Sequence, residues 1–300
     1  MNEELLKQLK KKYEALGENP ESYLKGLLHS KPLNYWDYIE VDTLLSIQKP
    51  KTDFKDETVF IIYHQITELI LKLMIHEAQQ ITELKDFTGE DIFMDKLKRL
   101  MRYTDMLITS FDIMRDGINY DDYSQFRLSL TPASGFQSAQ FRHLELMCTP
   151  PINLVNENGK KELTSTPSSD EIFENIYWRD AGYNRSNGKS TYTLKAFEDK
   201  YLEGFKALAK NVQGHCILEN YLKFENPSEK LKIRMKDFDH HYNVRWPMVH
   251  LKTAAKYLQK KGKTKEATGG SDWKKYLNPK YHQRSFFPDL WKEDDILNWV

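Results

Sequence analysis

Cysteine is nearly missing, with two in 300 residues. Cys148 and Cys216 have no metal-like spacing and make no disulfide framework, which suits a reducing cytoplasm. An excess of one charge is missing too: 44 Lys+Arg meet 44 Asp+Glu. No basic surplus argues for nucleic acid, and no acidic tail for a solvating segment. No apolar run approaches the roughly 20 residues of a membrane span. The N-terminus, MNEELLKQLKKKYEALG, lacks the apolar centre of a signal peptide. The expectation is a cytoplasmic protein with neither a nucleic acid nor a membrane as partner. Several catalytic signatures are also absent, namely HExxH, clustered carboxylates with metal spacing, a nucleophile elbow and a phosphate loop.

What the chain does have is aromatic mass and helical period. It carries 17 Tyr, 15 Phe and 6 Trp, enough for a rigid core or an aromatic pocket. Leu5, Leu6, Leu9, Tyr13 and Leu16 lie at helical spacing, with Gly17 as a stop. Residues 35–48 read as helix turns before Pro50. The strongest periodic segments run from Thr58 to about Lys85 and from about Asp91 to Gly117, the latter marked by Leu97, Leu100, Thr104, Leu107 and Phe111. Helix resumes at QSAQFRHLELM, at LKAFEDKYLEGFKALAKNV and through the stretch ending in VHLKTAAKYLQKK. No alternating pattern is long enough for a sheet. The predicted fold is all-α, a helical bundle in one domain over 1–300, with 1–50 as a short N-terminal arm. Residues 149–193 hold Pro, Gly, Asn and Ser with few apolar anchors and predict an irregular excursion.

Four features stand out against the plain helical background. His64 shares a helix stripe with Phe60, Glu68 and Lys72, although a lone histidine there is often a hydrogen-bonded core group. Tyr123 and Arg127 are four apart and present a phenol and a guanidinium fork to one side; a fork can grip a carboxylate, or make a surface ion pair. TPASGFQSAQFR, residues 131–142, places Pro132, Ser134 and Gly135 where a backbone could approach a flat ligand. Gln137, Ser138 and Gln140 follow it with polar contacts; the plainer meaning is a capped helix break. Last, Pro247 suits the first turn of a helix that would carry His250, and Thr268, Gly269, Gly270 and Ser271 follow as a hydroxyl-bearing loop. Isolated histidines on different helices, with aromatics and an Arg, suit a planar cofactor held by one axial imidazole.

These residues occur in a familiar order. Phe60-Ile-Ile-Tyr-His64-Gln, then Tyr123-x-x-x-Arg127 running into PASGFQSAQFR, then Trp246-x-x-x-His250, then Ala267 and TGGS, resemble the tryptophan 2,3-dioxygenase family. The upstream Tyr35-Trp-Asp-Tyr38-Ile39 and LLSIQKP look like its N-terminal segment. PASGFQSAQFR is the specific match. The resemblance implies an all-helical protein, usually a homotetramer, with one haem b per subunit. It implies insertion of both atoms of O2 into the indole ring of L-tryptophan to give N-formyl-L-kynurenine, the entry to the kynurenine route of tryptophan degradation.

Carried over residue by residue, the resemblance makes His250 the iron ligand, with Trp246, Ser134 and Gly135 against the haem. His64 meets the indole N–H, Phe60 walls the indole, Arg127 pairs with the carboxylate beside Tyr123, and Thr268 contacts the amino-acid end. Tyr35, Tyr38 and Ile39 reach into a neighbouring subunit's pocket. Ala267 stands where the family usually has Gly, and Pro247 where Arg is frequent. Two further readings are a superfamily haem oxygenase acting on a substituted indole or inserting one oxygen, and a haem-binding helical module without turnover.

Overall fold

The structure is a computed structural model, and it describes residues 2–130, 137–184, 188–260, 263–264, 274, 278–279, 284–292 and 295. The chain divides into two compact units, Met1–Lys49 and Pro50–Val300.

In the first unit, α1 (Glu3–Ala15) begins where the Asn2 side chain accepts from the Glu4 N–H at 3.0 Å. It ends at Gly17, whose φ of +74° is a left-handed conformation that favours glycine. Asn19 caps α2 (Pro20–Leu27) in the same way, with Pro20 in its first turn. Tyr13 and Tyr23 stack at 4.3 Å across the pair. Residues 35–48 are not one helix. They split into α3 (Tyr35–Tyr38) and α4 (Val41–Ser46) at Glu40, which has a φ of +54°. None of the described residues of this unit is buried, and Tyr35, Tyr38 and Ile39 are 71%, 73% and 40% exposed.

The second unit is built on α5 (Asp56–Thr82) and α6 (Asp91–Gly117). On α5 the residues Tyr63, Ile70, Leu71, Met74, Ala78 and Ile81 are buried, one stripe at helical period. On α6 the buried stripe is Phe93, Leu97, Leu100, Thr104, Leu107, Phe111 and Met114. Glu77 bridges the two helices, buried on α5 with Lys96 at 3.0 Å and Arg99 at 3.3 Å. A short α7 (Tyr120–Phe126) runs into a tight turn over Arg127–Leu130, and α8 (Ala139–Cys148) packs on α5. Then come α9 (Glu157–Glu162), α10 (Ser169–Glu174), α11 (Tyr192–Val212), α12 (Ile217–Tyr221), α13 (Glu229–His240) and α14 (Trp246–Leu258). Helices α11 and α8 pack together, as do α13 and α14 with α6. Among the described residues the only strands are two pairs of two-residue antiparallel segments, so the all-α fold holds.

Three expectations need amending. Residues 149–193 are irregular and partly helical as expected, but better anchored, because Leu154, Val155, Phe173, Ile176, Tyr177 and Trp178 are buried. Trp178 sets its ring edge-on to Phe197 at 5.4 Å. The anchors are few but large, so counting apolar residues undervalues them. The second amendment is that α5 is long and apolar enough to cross a membrane by length and composition. The third concerns Pro247, which lies inside a continuous helical run and not at a free start. Residues 241–245 form a π turn between α13 and α14.

The 149–193 segment yields a test. Trp178→Ala should cost about 3–5 kcal/mol of unfolding free energy, the range for emptying an aromatic core site. Urea denaturation measures it, and a loss below 1 kcal/mol would mean that the segment is peripheral.

Candidate functional site

Of the sequence-predicted residues, Phe60 and His64 lie on α5, Tyr123 on α7 with Arg127 at its end, and Trp246 and His250 on α14. His64 sits on α5 one turn after Phe60, and their rings lie 4.1 Å apart. The His64 Nδ1 is 2.7 Å from the Phe60 carbonyl oxygen. A carbonyl oxygen only accepts, so Nδ1 carries the proton and Nε2 keeps its lone pair. Burial, partly offset by that bond and by the Glu68 charge, lowers the His64 pKa, so the ring is neutral at pH 7.

Tyr123 on α7 faces Phe60 at 6.2 Å, and Phe126 sets its ring edge-on to Phe60 at 5.8 Å. Arg127 follows Tyr123 at true helical spacing, because its backbone N–H bonds to the Tyr123 carbonyl. It is 8% exposed, a buried guanidinium and not a surface partner.

His250 lies on α14 with Phe111 of α6 at 5.2 Å. Its ring is exposed by surface area, yet burial and then the charge of His64 push its pKa down to about 4. The dependence on His64 places the two imidazoles within electrostatic reach of each other.

An aromatic chain encircles this region. It leaves α14 at Tyr257, passes Tyr123 at 4.6 Å, then Phe60, His64 and Tyr63. Tyr63 meets Phe111 at 5.5 Å, and Phe111 returns the chain to α14 at His250. Trp246, one turn before His250, is buried and stacks on Phe141 at 4.7 Å. Among the described residues no three His, Cys, Asp or Glu side chains gather as a multi-ligand metal site would need. The described residues offer two neutral imidazoles, His64 and His250, among aromatic side chains, and one of them as axial ligand suits a haem.

The PASGFQSAQFR stretch divides in two. Ser134 and Gly135 lie outside the described residues, as do Ala267, Thr268 and the rest of TGGS. The second half is a brace. Gln140 donates to the Glu68 carbonyl and to the Glu68 carboxylate, both at 2.7 Å, and so ties α8 to the His64 stripe. Arg142 points away from the histidines into a buried cluster with Glu145 at 3.0 Å and Tyr177. Tyr35, Tyr38 and Ile39 belong to the first unit and are exposed there.

Sequence reading missed Tyr63, Phe111, Phe126 and Tyr257, which read as ordinary core positions. Tyr257 carried a faint signal, being a polar-tipped ring seven residues from His250 on one helix face. Its hydroxyl donates to the Met114 carbonyl oxygen and lies within reach of those of Ile118 at 3.1 Å and Arg115 at 3.3 Å, closing the end of α6.

With this geometry in place, the comparisons with known proteins can be read. Residues 25–149 match the tryptophan 2,3-dioxygenase family. The tryptophan 2,3-dioxygenase of Ruegeria sp. (strain TM1040) is 29% identical over 269 residues, covering 86% of this chain and 91% of the relative. The chain is related to the tryptophan 2,3-dioxygenases. The Bacillus anthracis protein of that name is 29% identical over 287 residues, covering 91% of this chain and 97% of its own. A shorter match to the Ruegeria pomeroyi protein reaches 37% over 121 residues, 40% of this chain and 43% of the relative.

Tyr257→Phe keeps the ring against Tyr123 and removes the donor from the α6 carbonyls. It should cost about 1–3 kcal/mol of stability, the penalty for buried acceptors left without a partner. Chemical denaturation decides; no change would mean that those carbonyls find other donors.

Proposed function

We propose that this chain is a haem-dependent tryptophan 2,3-dioxygenase, an oxidoreductase that opens the indole ring of L-tryptophan with O2 to give N-formyl-L-kynurenine. The observation that supports this reading is the pair of neutral imidazoles, His64 and His250, joined by ring contacts through Tyr63 and Phe111, in a chain similar to enzymes of that name. His250 would hold the iron, since a neutral imidazole is the form that binds metal, and Trp246 would lie against the haem on the same helix. The haem, when bound, supplies the activation of O2.

The chain's own residues do the rest. His64 keeps Nε2 as an acceptor, which fits the indole N–H and disfavours flat analogues lacking a donor. Phe60 and Phe126 wall the indole with their rings. The Arg127 fork matches a carboxylate with two parallel hydrogen bonds, and Tyr123 stands beside it. Thr268 would meet the amino-acid end, as the resemblance implies.

Assembly is part of the proposal. The N-terminal arm exposes Tyr35, Trp36, Tyr38 and Leu45, and α5 exposes Ile62, Leu69 and Leu73 along one stripe. Apolar surface on that scale is costly in water unless another chain covers it. A homotetramer in which the arm reaches a neighbour's pocket would cover it, and it accounts for the apolar character of α5 without a membrane. Both cysteines are free and buried, which suits the cytoplasm.

Two measurements test this reading. Haem-loaded, reduced protein given L-tryptophan and air should accumulate the N-formylkynurenine absorbance over many turnovers; haem binding with no such product would point to another indole or a one-oxygen reaction. Arg127→Leu should raise the tryptophan KM at least tenfold, because losing one partner of a buried charged pair costs about 2–5 kcal/mol. An unchanged KM would place the carboxylate elsewhere.

The pH dependence has a definite sign. The His64 pKa is lowered, so its Nε2 acceptor is present at neutral pH and is lost as pH falls through a value below the ordinary 6.5. The acid limb of kcat/KM should therefore fall below pH 6.5 and vanish in His64→Ala. An acid limb that survives that substitution belongs to another group.

A further inference from the structure

We infer that the π turn at residues 241–245 is a register device, shifting the helix by one residue so that His250 and not Val249 meets Phe111 of α6. The inference rests on the reading of His250 given above and goes beyond it.

The argument begins with spacing. On α13 the buried stripe is Leu231, Met235 and Phe238, and it continues to Tyr242. At about 100° per residue, an uninterrupted α-helix would bring Val249, seven residues past Tyr242, within about 20° of that line. His250 would lie about 80° to one side. In the structure the buried stripe of α14 is Trp246, Thr253 and Tyr257, with Val249 flanking it against the core and His250 flanking it on the other side against Phe111. One residue has been absorbed between Tyr242 and Trp246.

The π turn is where it is absorbed. The Trp246 N–H bonds to the His241 carbonyl, five residues back where an α-helix would reach four. Two features of the chain favour the wider turn. Pro247 has no N–H for the carbonyl of Asn243, and its ring would collide with that carbonyl in α geometry. Asn243 itself sends its side-chain amide to the Asp239 carboxylate at 2.8 Å.

Asp239 is fully buried and fixed from a second direction. It accepts from Ser285 Oγ at 2.6 Å, from the Phe286 and Phe287 N–H groups at 2.9 and 3.2 Å, and from Trp291 Nε1 at 2.9 Å. The segment Ser285–Trp291 therefore clamps the carboxylate that holds the turn. Asp239, Asn243 and Pro247 are positioning residues, acting through the helix on His250.

The test uses haem-loaded full-length protein, followed by haem stoichiometry and the imidazole-ligated absorbance spectrum, with thermal melting of the haem-free protein as a check of folding. Deleting exposed Arg245 together with Pro247→Ala turns the run into a regular α-helix with both stripes intact. It should keep one haem per chain with an unchanged spectrum. The full-length swap Val249→His with His250→Val should lose the imidazole-ligated spectrum and bind haem at least tenfold more weakly. A folded deletion variant that loses ligation, or a swap variant that keeps it, overturns the inference. His250→Ala separates the two levels: if its spectrum matches the wild type, His250 is not the ligand and both readings fall. If it loses the spectrum and the swap does not, only the register inference falls.

Discussion

Two imidazoles, His64 and His250, are joined by ring contacts through Tyr63 and Phe111, and the protein holds both of them neutral. Burial is the leading cause for each, and the charge of one would also oppose the charge of the other at His250. Neutrality then assigns roles that the protein alone can support. A neutral His250 has a lone pair for a metal. A neutral His64, with its Nδ1 proton spent on the Phe60 carbonyl, offers an acceptor at Nε2. The same low-polarity surroundings that make a charge expensive also strengthen the pairing of a buried Arg127 with a carboxylate.

Holding those groups in place falls to polar contacts some way from the histidines. Gln140 fastens α8 to Glu68 on the His64 stripe. Asp239, on α13, collects donors from the π turn and the segment Ser285–Trp291. Glu145 collects Arg142, Tyr177 and Arg284, with Tyr177 donating at 2.5 Å and Arg284 at 3.0 Å. Asp239 and Glu145 are buried, and each gathers its donors from segments far apart in the chain. Such hubs are costly if half-satisfied and specific when complete, so they fix how the helices meet.

The helices were legible because their periodicity is long and regular; α6 begins and ends at the residues its pattern marks. The pairings Phe60 with His64 and Tyr123 with Arg127 were legible for the same reason, since four-residue spacing survives in the fold. The π turn was not, because one extra residue inside a helix leaves no composition change, and Pro247 read naturally as a helix start. Nor was the packing of 149–193, which rests on a few large rings such as Trp178 and not on a repeat. The hubs were invisible for a different reason: Asp239 and Ser285 are 46 residues apart, and no local pattern announces their contact.

The central claim is that a haem, when bound, would take His250 as its iron ligand and leave His64 to the substrate. A crystal structure of the haem-loaded protein with L-tryptophan tests it most directly. The account predicts iron bound to a ring nitrogen of His250, the indole N–H on His64 Nε2, and the carboxylate on Arg127. Iron bound to His64, or tryptophan seated away from Arg127, would contradict it.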